Sequence, residues 1–346
     1  MAQGYEIIKA TLPFVREQPL RSWWCLISTM VLFAACLAVG AMPFPWYIRL
    51  LSGIPGGLLL CRLFIIYHDH QHGTILRGSR VANWIMTAFG VLSLNPPSTW
   101  NASHNYHHKH NGKIRSASIG SYPVMTVQSY AKASRGEKFM YALSRHPLTI
   151  FFAWVTVFMF GMTVQSLMRK PREHVDCAVA LVIHAAFWVL LIMYAPWALL
   201  FSFVIPLLIG SALGAYLFYV QHNFPAVDLG DQSEWDYVFA ALHSSSFLDT
   251  NRLMHWFTGN IGYHHIHHLN ARIPFYRLPE VMKAFPELQT PGRTSLSPKA
   301  IMACFRLKLW DPEKRVMVGF GGRGIAGAKE SSRHLDGEGS EGIISP

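Results

Sequence analysis

Twelve of the 18 histidines in this 346-residue sequence fall in four short places, and their spacing is what suggests chemistry. The places are His68-Asp69-His70-Gln71-His72, His104-Asn105-Tyr106-His107-His108-Lys109-His110, His222, and His264-His265-Ile266-His267-His268. Residues three and four apart share one face of a helix. His68 and His72 are i and i+4. His104, His107 and His108 are i, i+3 and i+4, and so are His264, His267 and His268. Three segments thus offer two, three and three imidazoles on single faces, and His222 adds a ninth. A single zinc takes four ligands in a structural site and three in a catalytic one. Nine donors therefore suit two ions that keep an open position. Imidazole binds zinc, copper, iron and nickel, but no cysteine or methionine cluster favours copper(I), and zinc does no redox chemistry. Iron among nitrogen ligands can use O2 to take hydrogen from an unactivated methylene, so a pair of irons is the expectation.

Other histidines read differently. His70, His110 and His265 sit off the shared faces and are placed outside the ligand set. His184, alone in an apolar segment, reads as a packed residue, as do His146, His174, His243 and His334. An exposed His-rich tract can bind stray metal, but here the one-face spacing recurs three times beside apolar segments. A zinc peptidase would need Glu in HExxH, and no box contains one. A metal transporter would place polar groups at the midplane of several spans, whereas these histidines cluster at span ends.

The elements that must hold such a site are membrane helices. The chain is 51% hydrophobic and 14% charged, against about a quarter charged in soluble domains, and its 11 Trp, 13 Tyr and 22 Phe fit interfacial belts. Four stretches are candidate spans: Trp23 to Ala41, Tyr47 to Tyr67, Val179 to Tyr194, the shortest, and Trp197 to Val220. Arg49 and Arg62 are expected to snorkel from the second. Gly210, Gly214 and Ala215 are expected to admit a close neighbour on the fourth. Val81 to Leu94 and Leu148 to Val164 are short, and counting the second as a crossing would put His222 opposite the earlier boxes, so both read as interfacial. Four crossings place every box on one side, and the loops on that side carry Arg77, Arg80, Lys109, Lys113, Arg169 and Arg172. The positive-inside rule makes that side cytoplasmic.

The expected organisation is a cytoplasmic N-terminal segment at 1–22, a membrane domain at 23–290, a cytoplasmic extension at 291–320 and a disordered Gly/Ser-rich tail at 321–346. No small-residue cleavage site precedes the first apolar run, so that run is expected to remain as an anchor. The formal charge of +11 suits an anionic leaflet or an acidic redox partner; no basic helix or aromatic-basic stripe points to nucleic acid. The five scattered cysteines read as buried thiols, neither disulfides nor ligands.

With boxes of the form HxxxH, HxxHH and HxxHH the chain resembles the membrane fatty-acid desaturase family. Met125-Thr-Val-Gln-Ser-Tyr130, Tyr219-Val-Gln-His222, Trp256-Phe-Thr-Gly-Asn-Ile-Gly-Tyr-His-His-Ile-His-His-Leu269 and Arg272-Ile-Pro-Phe-Tyr-Arg-Leu-Pro279 look like its bacterial and plastid acyl-lipid branch. The likeness covers roughly residues 20 to 290. It implies an all-α integral membrane fold: about four transmembrane helices, interfacial helices and a His-rich cytoplasmic di-iron cap, here in a bacterial inner membrane. It implies that His68, His72, His104, His107, His108, His222, His264, His267 and His268 bind two irons. Asp69 would orient one of them, and Asn260 would either hold a metal-bound water or cap a helix. The implied reaction uses O2 and two external electrons to remove two hydrogens from adjacent carbons of a lipid acyl chain. No His-Pro-Gly-Gly haem motif occurs, so a separate ferredoxin or small cytochrome is the expected donor. A hydroxylase, conjugase or epoxygenase would share the same ligands.

Overall fold

The computed structural model describes residues 2–114, 122–230 and 235–322. Helices dominate it. Four are long and apolar enough to cross a bilayer: α1 (Pro19–Ala41), α2 (Trp46–Gln71), α6 (Val175–Tyr194) and the run Pro196–Val220, whose last part is α7 (Ile205–Val220). In that run the turns Leu199–Val204 are of the wider π type. Between α2 and α6 lie α3 (Arg80–Leu92), α4 (Pro97–His110) and α5 (Trp154–Val164), the last again of π type. The third box forms the short helix α8 (His264–Leu269). The third span thus starts four residues earlier than its apolar run suggests.

Burial tells which helix is central. About half of the most apolar stretch of α2 is buried (56%), but only 22% of that in α1 and 17% of that in α6. Large apolar side chains such as Trp24, Val182 and Met193 stand exposed on those outer helices. Surfaces of this size and apolarity are unstable in water and suit lipid. The fold is an all-α integral membrane fold, with α2 as its inner post.

Close packing of α2 on α7 depends on glycine. A Cβ at Gly210 would lie 2.8 Å from the Gly57 carbonyl oxygen, and one at Gly57 only 2.6 Å from Ile209 Cβ. Gly214 differs from its expected role: nothing lies within 4 Å of an added Cβ there, because it lines a cavity. Gly210→Ala is therefore expected to cost on the order of 1–3 kcal/mol by forcing the helices apart, read as a lowered unfolding temperature in detergent.

The span arginines also depart from expectation. Arg49 and Arg62 are buried and do not snorkel. Arg49 donates to the Gly40 carbonyl (2.8 Å). Arg62 donates to Thr29 Oγ1 (3.1 Å) and the Trp256 carbonyl, and lies over the Trp256 ring. Each spends its charge on a neighbouring segment, tying α2 to α1 and to the short helix Arg252–Phe257 ahead of the third box.

Among the described residues, five strands of two or three residues lace the remainder. β1 (Met125–Thr126) pairs parallel with β4 (Leu309–Asp311), which pairs antiparallel with β5 (Val316–Val318), and β2 (Phe247–Asp249) pairs parallel with β3 (Arg293–Ser295). Residues 291–320 are thus stitched to the body at two places. The tail expected to be disordered lies outside the described residues from 323 onward. All five cysteines are free, and all but Cys36 are buried.

Candidate metal centre

Each histidine segment sits where a helix ends or begins. α2 runs from the membrane through His68 and closes at His72, whose backbone N–H still bonds to the His68 carbonyl. α4 starts at Pro97, a residue suited to the first helical turn, and carries His104, His107 and His108. His222 follows α7 within one turn. α8 brings in the third box almost fully buried.

These four segments gather all nine histidines into two groups. In one, the nitrogens of His68, His72, His104, His108 and His267 lie within 4.8 Å of one another; in the other, those of His107, His222, His264 and His268 do the same. The helical spacing does the sorting. In α4 the i,i+4 pair His104 and His108 joins the first group while His107 turns to the second. In α8 the pair His264 and His268 joins the second while His267 turns to the first. The two groups touch, with the His108 and His268 rings stacked at 4.4 Å.

Nitrogen faces nitrogen throughout. Nε2 of His104 lies 3.0 Å from that of His72 and 3.0 Å from that of His108, and His108 lies 3.1 Å from His267. In the second group His222–His264 is 2.9 Å, His264–His268 3.1 Å and His268–His107 3.2 Å. Some tautomers are fixed from outside. His222 Nδ1 donates to the Ser244 carbonyl (3.0 Å) and His68 Nδ1 to Asp69 Oδ1 (2.9 Å). Their Nε2 atoms therefore present lone pairs inward, where other imidazole nitrogens already crowd. A cation resolves that crowding. The donor set fits two metal ions, one among five nitrogens and one among four.

Protonation agrees. Burial, then the neighbouring rings, hold His104, His107, His108, His264, His267 and His268 well below the ordinary imidazole range. Burial pushes His72 down to about 3 and His222 to about 4. At neutral pH these rings are uncharged, the form that ligates metal.

The off-face histidines go elsewhere, each to a backbone carbonyl: His70 to Ile75 (3.2 Å), His110 to Tyr106 (2.8 Å) and His265 to Leu288 (3.1 Å). Asn260 holds a left-handed turn (φ +53°) and donates from Nδ2 to the Phe275 carbonyl (3.2 Å). Asp69 is buried, and its second oxygen accepts the Phe275 N–H at 2.7 Å. It thus links His68 to the segment after the third box. Outer hydrogen-bond partners of ligating histidines are worth roughly 10–100-fold in metal affinity. Asp69→Asn is expected to weaken metal retention by about that factor, measured by competition with a chelator.

Sequence reasoning missed several supports. Trp100 stacks on His104 at 4.3 Å; its place one turn ahead of His104 was a readable signal. The Ser244 carbonyl gave none, since any residue type supplies it. Asp176, His174 and Cys177 come together at the start of α6, where Asp176 accepts from the Ser98 N–H (2.9 Å) and Oγ–H (2.5 Å). Ser98 also meets His174 Nδ1 (2.8 Å), and Thr99 meets Cys177 Sγ (3.1 Å). This cluster fastens the first turn of α4 to α6.

A cavity of about 470 Å³ ends at the first group. Leu60, Phe64, Trp100, His104, Gly214 and Phe218 are among its lining residues, and the lining is mostly apolar.

Comparison with known proteins decides what kind of chain carries this site. The family description "Fatty acid desaturase" matches residues 43–297, a span that includes all nine histidines. The chain belongs to the fatty acid desaturase family. This desaturase is 29% identical over 321 residues to a protein of Bacillus subtilis (strain 168) named fatty acid desaturase, covering 91% of this chain and 90% of that one. It is 25% identical over 275 residues to an sn-1 oleoyl-lipid 12-desaturase of Picosynechococcus, covering 75% of each. A fatty acid conjugase of Calendula officinalis is 24% identical over 319 residues, covering 81% of each chain. As a member of the family, the desaturase is an oxidoreductase.

Proposed function

We propose that this desaturase uses O2 and two external electrons to convert a CH2–CH2 unit of a membrane-lipid acyl chain to CH=CH, at two irons held by the nine histidines. The observation that carries the reading is the apolar cavity that runs up to His104. Its volume of about 470 Å³ lies within the range of ligand sites.

Supplied with O2 and electrons, iron at this centre provides an oxidant able to remove hydrogen from a methylene. The remaining work belongs to the protein. The five-membered group meets the cavity through His104, whose ring is clamped by Trp100. The same cavity is also lined by Met140 and Leu143. Both are exposed, in the company of Phe139, Leu148 and Phe151. An apolar mouth rimmed by apolar surface suits a chain arriving from the bilayer. Such a chain is already out of water, so the hydrophobic effect contributes little to its binding. Selection then rests on shape, and the carbon attacked is set by how far the chain slides before it stops.

The sn-1 oleoyl-lipid 12-desaturase among the relatives supports a lipid-linked substrate. The loop charges support a centre on the cytoplasmic side, and in a bacterial inner membrane a ferredoxin or small cytochrome would deliver electrons to that basic face. The conjugase among the relatives supports one further reading, in which the same abstraction gives a conjugated product. A host whose lipids are only saturated and monounsaturated separates the two. New isolated double bonds, with two irons for the two histidine groups, are the expected result. Unchanged lipids, or a single zinc per chain, would overturn it.

A further inference from the structure

Two cavities reach the two histidine groups. The large apolar one touches His104 of the five-membered group. A second, of about 60 Å³, touches His107 and His222 of the four-membered group and is lined by Asn111, Asn223 and Ser244. That volume holds a few water molecules. Tyr122, Pro123 and Phe218 line both cavities, so they form the wall between them. Phe218 lies 4.8 Å from the His107 ring and 6.4 Å from the Tyr122 ring. Tyr122 is braced edge-on against Tyr219 at 5.0 Å. The Tyr122 hydroxyl is buried with no hydrogen-bond partner among the described residues. A buried hydroxyl of this kind is costly unless something polar reaches it, and the crevice beside it, more polar than the large cavity, has the room.

We propose that Tyr122 and Phe218 are a dry partition between an aqueous crevice at the four-membered group and the acyl cavity at the five-membered group, and that this partition keeps the reaction coupled. In the coupled reaction O2 accepts four electrons, two from the breaking C–H bonds and two from the one-electron iron–sulfur or haem carrier. With the two protons those bonds release and two more it leaves as two waters, and the chain becomes an alkene. In the uncoupled reaction O2 takes two electrons from the carrier and two protons from water and leaves as hydrogen peroxide, and the chain stays saturated. Opening the wall brings water and its protons to the place where the oxidant must meet only methylenes.

The second readout below rests on the desaturase reading, but the first does not. A diazirine-bearing fatty acid photolysed in the metal-free protein labels whatever surrounds its chain. In the wild type, adducts are expected on cavity residues such as Phe64, Met162 and Leu207. In Phe218→Ala, adducts are expected to extend to crevice residues such as Asn111, Val124 and Leu229. Tyr122→Ala provides the same opening should Phe218→Ala fail to fold. In iron-loaded protein the same variants are expected to release several-fold more peroxide per electron consumed. Labels confined to the cavity in both variants, or reaching the crevice in the wild type, would overturn the partition and leave the desaturase reading intact. A wild type that confines the label but forms no alkene would remove the reading and leave the partition standing.

Discussion

Alanine at His264 is expected to leave a protein that inserts normally, retains about half of its metal and forms no measurable alkene. Insertion rests on four apolar helices, and α8 is not one of them. The metal outcome follows from the unequal groups. His264 belongs to the four-membered set, and removing it leaves three nitrogens, one of which, on His222, then faces an empty place. His72→Ala is the instructive contrast. It belongs to the five-membered set, so four nitrogens remain. Its metal content is expected to fall less than that of His264→Ala. Both variants should lose at least ~100-fold in turnover, the upper end of what outer partners alone are worth. Metal analysis of purified protein beside a lipid profile of the expressing cells checks both points. A His264→Ala protein with full metal and wild-type products would remove the centre from the mechanism.

The division into five and four is where reading the sequence stops. Helical spacing puts His104 and His108 on one stripe, and His264 and His268 on another. That much is local and legible, as are the spans, three of whose apolar runs are long enough by themselves to cross a bilayer. Which stripe faces which is decided by the angle between α4 and α8, a tertiary property without a local signal. The strands escaped notice because elements of two or three residues have no periodicity to detect. Arg62 escaped because a cation in a span has two outlets, the interface or a neighbouring carbonyl, and only the packed structure chooses. Gly214 looked like a packing residue by its proximity to Gly210. Four residues later on the same helix the neighbour is gone and a cavity has taken its place.

That position yields the second large effect. Gly214→Leu is expected to fold at least as well as the wild type yet reject its longest substrates. Nothing lies within 4 Å of a Cβ at 214, and in a helix alanine is favoured over glycine by about 0.8–1 kcal/mol, with leucine close behind alanine. The new side chain must therefore occupy the cavity that Gly214 lines. A single methylene in a shaped apolar pocket is worth roughly 10–200-fold in discrimination, and leucine adds several carbons. Turnover of the longest acyl chains is expected to fall by at least ~10-fold relative to shorter ones, seen as a shift in the chain lengths that carry new double bonds. An unchanged profile would mean that substrate does not pass Gly214. Gly210→Ala, one turn away, should do the reverse: loosen the helices with less effect on which chains are chosen.

The dispersal of the ligands has a consequence for how the enzyme is born. The five-membered group needs His267 and the four-membered group needs His264 and His268, all from the last histidine segment to leave the ribosome. No shorter nascent chain contains either complete set. Insertion of all four helices must therefore precede metal loading, and the newly made protein waits in the bilayer with neutral, mutually crowded imidazoles. Metal supply then acts after synthesis, as the event that converts an idle membrane protein into a working one.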